Sequence, residues 1–185
     1  GFTGARAEVR WWFLYAFADG ARLAYEFSRT PPDAALLFKR GDPTRRYFGC
    51  VYAWARNAIL GFSAVQGRYL LEFPREFLTG RTTRPQSASL AALDLLPPHV
   101  RHARVNASVR NTNDFAAVSL LVRNVASPLV NATREVLAIP PRATAAGEFE
   151  VSLNEAQEFS WYTTNDGGAG HETTLALVGF DEEIP

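Results

Sequence analysis

The chain has 185 residues, enough for one large domain or two small ones around a buried core. Its 19 Lys and Arg residues balance its 19 Asp and Glu residues, so no long-range electrostatic field would attract nucleic acid or an anionic membrane. A single cysteine, Cys50, excludes an intrachain disulfide and a cysteine-based zinc site. Its apolar neighbours favour a buried, inert thiol.

The first recognisable element is a β-hairpin. An aromatic run over residues 11–17 is followed by Asp19-Gly20 and by a second apolar run over residues 23–27. Asp-Gly between two such runs favours a two-residue type I′ turn, which would pair Leu14 with Tyr25. The sequence therefore predicts an antiparallel hairpin over residues 9–27 that turns at Asp19-Gly20.

One face of this hairpin carries more apolar surface than a hairpin can bury alone. Period-two alternation places four aromatic rings on it: Trp11, Phe13, Tyr15 and Phe17. Together they present apolar surface on the order of several hundred Å². If this surface stayed exposed to water, several kcal/mol of stabilisation from its burial would be lost. We expect either the second half of the chain or a partner protein to cover these rings.

The rest of the first half consists of short strand-like runs. They lie over residues 35–39, 47–54, 59–65 and 68–73, and their short connections favour antiparallel pairing. A Pro-, Ser- and Thr-containing stretch then follows, with a short helix predicted near residues 88–96. We interpret residues 1–96 as an aromatic-rich antiparallel β-subdomain.

Residues 97–185 show six strand-like runs at a spacing of roughly 10 residues, typical of an immunoglobulin-like β-sandwich. Alternation predicts exposed side chains for Arg104, Asn106 and Glu150. It predicts buried side chains for Val105, Val109, Val118, Leu120, Phe149 and Val151.

The chain is therefore predicted to be all-β, an antiparallel β-sandwich with a hairpin-rich first half and at most one short helix. We expect two subdomains that meet at the aromatic face of the first hairpin. A single lipocalin-like barrel is the alternative, because eight or more antiparallel strands in sequence order would close without edges.

No catalytic, metal-binding or cofactor-binding motif stands out. Asp166, His171 and Glu172 lie in a glycine-rich loop and are the best enzyme hypothesis, against a plain flexible loop. His99 and His102 would point to opposite faces of a strand, so we expect solvated side chains rather than metal ligands. Acidic residues 181–183 are expected to lie in an exposed terminal tail.

Two sequons, at Asn106 and Asn131, are possible N-glycosylation sites if the chain is secreted. The sequence begins at Gly1 rather than Met, which favours a removed leader and a secreted or processed protein. No apolar stretch has the length of about 18 residues that a membrane helix requires.

These observations favour a non-catalytic interaction module, an accessory or structural subunit that holds a partner protein or a second copy of itself. The alternative is a ligand-binding β-protein, either a carbohydrate-binding sandwich or a lipocalin-like carrier. Aromatic side chains would form the binding surface in both cases. The candidate binding residues are Trp11, Phe13, Tyr15, Phe17, Trp161 and Tyr162.

Overall fold

A computed structural model describes residues 10–33, 35–55, 58–65, 67–80, 86–89, 96–123, 133–165 and 170–182. Their regular secondary structure consists of fourteen strands, all paired in antiparallel fashion, so the all-β prediction is confirmed. These residues form no helix long and apolar enough to cross a membrane. The strands build three sheets rather than one closed barrel.

The first sheet contains the predicted hairpin and has the strand order β2-β1-β4-β3, with β5 paired to β4. Its strands are β1 (Arg10–Asp19), β2 (Arg22–Ser28), β3 (Phe38–Lys39), β4 (Asp42–Ala55) and β5 (Ala58–Ile59).

The hairpin is confirmed, but its turn lies one residue later than predicted. Asp19 pairs with Arg22, so Gly20 and Ala21 form the turn, and Leu14 pairs with Phe27 rather than Tyr25. Only Gly20 of the two turn residues has a positive φ, 61°. This matches a type II′ turn, which needs glycine at its first central position alone. Because the pairing shifts by two residues, each side chain stays on its predicted face.

The second and third sheets belong mainly to the other half of the chain. The second has the order β11 (Thr133–Ile139), β10 (Val118–Arg123), β13 (Glu158–Asn165), β8 (Gln86–Ser89). The third has the order β12 (Thr144–Ser152), β9 (His102–Asn111), β14 (His171–Asp181), β7 (Arg68–Gly80), β6 (Phe62–Val65).

These two sheets share a core. The rings of Phe77 on β7 and Phe159 on β13 lie 6.2 Å apart, edge to face. Thr163 Oγ1 on β13 lies 2.6 Å from His171 Nε2 on β14. Burial alternates as predicted: Asn106 and Glu150 are exposed and all six apolar positions predicted to be buried are buried. Arg104, expected to be exposed, is half-buried because its guanidinium lies between Glu148 and Asp181.

The sheets do not divide the chain at residue 96. Strands β7 and β8 precede that position but pair with β14 and β13 of the second half, and β6 joins the third sheet by pairing with β7. Residues 86–89 of the region near the predicted helix are strand, and residues 90–95 lie outside the described residues. Buried side chains from all three sheets form one hydrophobic core, so the two halves fold against each other.

Candidate functional site

The aromatic face of the first hairpin is buried inside the chain. Trp11 is only 7% exposed, and Phe13 and Tyr15 are less exposed still. The Trp11 ring lies 5.5 Å from Phe180 on β14, and the Phe13 ring lies 5.6 Å from His99. The second half of the chain thus contacts Trp11 and Phe13, which is the first of the two outcomes expected for the face. Tyr15 is buried by the first half itself: its ring lies 5.7 Å from that of Tyr47, and its hydroxyl donates to Thr30 O at 2.8 Å.

The other three predicted binding residues differ in position. Phe17 is half-buried, with the Arg45 guanidinium 3.7 Å above the centre of its ring. Trp161 is buried between the second and third sheets, whereas Tyr162 alternates to the opposite side of β13 and is half-buried. Of the six, only Phe17 and Tyr162 therefore retain contact with solvent beyond a few per cent.

The opposite face of the first sheet carries four of the eight large apolar side chains that are exposed among the described residues. We call it the outer face and define it by Leu23, Tyr25, Phe27 and Phe48, which are 65, 63, 45 and 48% exposed. The rings of Tyr25 and Phe48 lie 5.8 Å apart, edge to face. Phe48 lies where the pairing between β1 and β4 shifts by one residue, a β-bulge opposite Leu14 and Tyr15.

Sequence reasoning did not single out the outer face as a binding surface. Both faces of the hairpin carry apolar side chains, and the predicted binding residues were those of the face that also carries Arg22, Glu26 and Ser28. In the structure Glu26 binds Lys39 Nζ at 2.5 Å and Arg45 Nε at 2.9 Å. The hydrogen bond from Lys39 lowers the pKa of Glu26. Glu26 on this face thus pairs within the chain.

A buried polar cluster lies where the first sheet meets the end of β14. We call it the Glu182 cluster: Tyr47, Cys50, Tyr69, His99 and Glu182. Glu182 Oε1 accepts a hydrogen bond from Tyr47 Oη at 2.7 Å, and it lies 3.2 Å from Cys50 Sγ and 2.7 Å from His99 Nε2.

Two predictions about this region are wrong. Glu182 was expected in an exposed tail, but its side chain is fully buried; Glu183 lies outside the described residues. The backbone N–H of Glu182 donates to Gly67 O at 2.7 Å. This bond continues the end of β14 along the turn before β7. His99 was expected in solvent, but its side chain is 9% exposed. Buried Gln157 donates to Pro97 O and Val100 O and thereby fixes the segment that carries His99.

The geometry of the Glu182 cluster is that of a hydrogen-bonded support rather than of an activated nucleophile. Burial, followed by the nearby Glu182 charge, raises the pKa of the Cys50 thiol well above its usual value. Burial also raises the pKa of Tyr47 and Tyr69. The thiol and the phenols are therefore neutral at physiological pH. Cys50 and His99 approach the same oxygen of Glu182, whereas a nucleophile and its base would contact each other.

A cavity of about 330 Å³ adjoins His99 and Glu182. Its walls include the charged side chains Asp33, Arg40 and Arg101 and apolar residues such as Leu36 and Pro98. Because charges of both signs line it, the cavity favours neither an anionic nor a cationic ligand.

The glycine-rich loop is only partly described. His171 is buried against Thr163, and Glu172 is exposed on the other side of β14. Asp166 lies outside the described residues, as does the sequon residue Asn131. The other sequon residue, Asn106, is exposed in the middle of β9. Within the described ranges, no three His, Cys, Asp or Glu residues are grouped so that they could hold a metal ion.

No protein-family model matches this sequence, and no curated protein is significantly similar to it.

Proposed function

We propose that this chain is a non-catalytic all-β interaction module that holds a partner protein in a larger assembly through the outer face. The observation that carries the proposal is the exposure of Leu23, Tyr25, Phe27 and Phe48 on one side of a sheet whose other side is buried. Large exposed apolar patches on a folded protein mark interaction sites.

The size of the outer face is sufficient for a binding centre. At about half exposure and roughly 200 Å² per side chain, the four residues present roughly 400 Å² of mostly apolar surface. A standard interface buries about 800 Å² on each partner. The outer face would therefore supply its apolar centre, and surrounding residues would supply the rim.

The chemistry of the outer face favours a protein partner with an apolar surface. None of its four residues is charged, and the whole chain has a formal net charge of zero. A polyanion such as nucleic acid finds no attractive surface in this pattern. An apolar patch on another protein is the complementary surface, with Tyr25 and Phe48 as the aromatic anchors.

In this proposal the second and third sheets are the scaffold that supports the first sheet. Two antiparallel sheets with a shared core support an immunoglobulin-like arrangement for this part of the chain. This scaffold supports the first sheet, because the ring of Trp11 in the first sheet lies 5.5 Å from the ring of Phe180 in the third sheet.

Carbohydrate binding is the second candidate, favoured by the 63% exposure of Tyr25. Sugar rings stack on flat aromatic faces. The planes of Tyr25 and Phe48, however, are inclined by 66° and so do not form one flat platform. This geometry supports a protein partner more than a sugar.

Site-specific photo-crosslinking in the natural source tests the proposal. A photoreactive phenylalanine analogue at Tyr25 should yield a discrete covalent adduct that contains a second protein. The same analogue at Phe115, which is 92% exposed in the loop between β9 and β10, is the matched control and should yield none. Equal labelling from both positions, or no adduct from Tyr25, would overturn the proposal.

A further inference from the structure

We propose that the cavity beside the Glu182 cluster binds a small zwitterion, an α-amino acid with an apolar side chain. The ammonium group would lie against Glu182 and His99, and the carboxylate against Arg40 and Arg101. The cavity shares no residue with the outer face, so this inference goes beyond the proposed function and does not depend on it.

The cavity lies where three parts of the chain meet. Its walls come from the connection between β2 and β3, from the segment that leads into β9, and from the end of β14. Its volume of about 330 Å³ is at the lower end of the range of small-molecule pockets. A molecule of the size of a free amino acid suits this volume.

Two buried polar atoms on residues of this cavity accept or donate no hydrogen bond among the described residues. They are Glu182 Oε2 and His99 Nδ1. Tyr47 Oη and His99 Nε2 both approach the other oxygen of Glu182, Oε1. When His99 donates from Nε2, its Nδ1 is an acceptor. Buried acceptors are nearly always satisfied, and an ammonium group has donors for both.

Two guanidinium groups of the cavity have unused donors. The Arg40 side chain forms no hydrogen bond or ion pair with the other described residues. Arg101 donates from Nη1 to Pro98 O and Val100 O, and its remaining nitrogens donate to no described residue. A guanidinium group binds a carboxylate through two parallel hydrogen bonds. These two side chains therefore suit the acidic end of the ligand.

The other two acidic side chains of the cavity are already paired. Asp33 Oδ1 accepts hydrogen bonds from two backbone N–H groups of its own loop, at 3.0 and 3.4 Å. Asp181 pairs with Arg68 and Arg104. The unused capacity is thus a buried carboxyl oxygen and an imidazole nitrogen on one side, and guanidinium donors on the other. This combination matches the two ends of a zwitterion rather than an anion or a cation.

The rest of the wall is apolar and would contact the side chain of the amino acid. It includes Pro31, Pro32, Leu36, Pro98 and Val100. Leu36 has a left-handed backbone conformation, with φ at 55°, which is unfavourable for a residue other than glycine. Backbone strain of this kind is concentrated at ligand sites and active sites.

Isothermal titration calorimetry with L-leucine as the probe tests the inference. Leucine should bind saturably with one site per chain. Isocaproate lacks its ammonium group and isoamylamine lacks its carboxylate, so each should bind at least tenfold more weakly through the loss of charge-assisted hydrogen bonds. An analogue that binds as tightly as leucine would overturn the inference. Absence of binding by all three compounds would also overturn it and would mean that the cavity holds water only.

Substitutions in the cavity assign the two ends of the ligand. Arg40 is exposed, so Arg40→Gln should keep the fold, weaken leucine binding at least tenfold and leave isoamylamine binding unchanged. Arg110→Gln is the matched control, because Arg110 is exposed on β9 outside the cavity, and it should change neither. Glu182→Gln keeps an acceptor for Tyr47 and should weaken the binding of both leucine and isoamylamine.

Equal leucine binding by the Arg40→Gln and Arg110→Gln proteins would overturn the inference, whatever the stability of Glu182→Gln. The photo-crosslink from Tyr25 to a partner protein is measured without leucine. Failure of the amino-acid site and failure of the proposed function are therefore distinguishable.

Discussion

The two faces of the first sheet are built from alternate residues of the same strands but have opposite environments. Trp11 is buried against Phe180 of β14 and Phe13 against His99, whereas Leu23, Tyr25 and Phe27 are exposed. Among the described residues, those of the second half contact the face of Trp11 and Phe13, and the outer face keeps large exposed side chains. The difference teaches that the number of aromatic rings on a face does not predict whether that face is exposed.

The largest expected effect is on the buried face. Trp11→Ala removes a ring that contacts both Tyr52 and Phe180, and we expect it to lower the free energy of unfolding by about 3 to 5 kcal/mol. Urea denaturation followed by circular dichroism measures this change. Phe115→Ala, in an exposed loop, is the control and should change it by less than about 0.5 kcal/mol. A Trp11→Ala protein as stable as the wild type would mean that the two faces do not differ.

Removing the acceptor of the Glu182 cluster should have the next largest effect. Glu182→Ala deprives Tyr47 and His99 of the fully buried side chain whose oxygen lies 2.7 Å from each. Breaking a buried pair on one side costs about 3 kcal/mol or more. The same urea titration applies, with exposed Glu155→Ala as the control. A small loss would show that the junction of the first sheet with β14 depends on its rings alone.

High pH should weaken the buried face through its phenols and its thiol. Burial raises the pKa of Tyr15, Tyr47, Tyr69 and Cys50, so the folded chain keeps protons that the unfolded chain loses above about pH 9 to 10. Stability is therefore complete below that range and falls as the pH rises through it.

Each such group contributes a slope of up to about 1.4 kcal/mol per pH unit. Tyr47→Phe should make the alkaline decline less steep, although the lost hydrogen bond costs about 1 kcal/mol at neutral pH. Denaturant midpoints measured at several alkaline pH values would detect the change. An unchanged slope would mean that Tyr47 ionises in the folded state.

The sequence predicts the parts of this structure that depend on local pattern. Alternation in β9, β10 and β12 assigns their buried side correctly, because one side of each strand is apolar and the other polar. The hairpin follows from Gly20, although Ala21 rather than Asp19 completes the turn. These features are set by neighbours in the chain.

The candidate sites could not be predicted in the same way, because they depend on contacts between distant residues. Glu182 lies more than a hundred residues from Tyr47 and Cys50, and acidic residues near a terminus are usually solvated. The pairing of β7 with β14 is likewise a long-range contact with no local signal. The outer face is visible in the sequence as an apolar side of the hairpin, but only the tertiary structure shows that it is the uncovered one.

Substitutions on the outer face should have the smallest effect on stability, in contrast to those on the buried face. The double variant Tyr25→Ser and Phe48→Ser removes two rings that are 63 and 48% exposed. The two rings lie 5.8 Å apart, so we expect the loss of their contact to lower the free energy of unfolding by less than about 1 kcal/mol.

In the same double variant, adduct formation with a partner through a photoreactive residue at position 23 should fall at least tenfold. A variant that unfolds would place these rings in the chain's own core, and a variant that stays folded and still yields the adduct would place the partner elsewhere. The proposal predicts a variant that stays folded and no longer forms the adduct, because the buried face would stabilise the fold and the outer face would bind the partner.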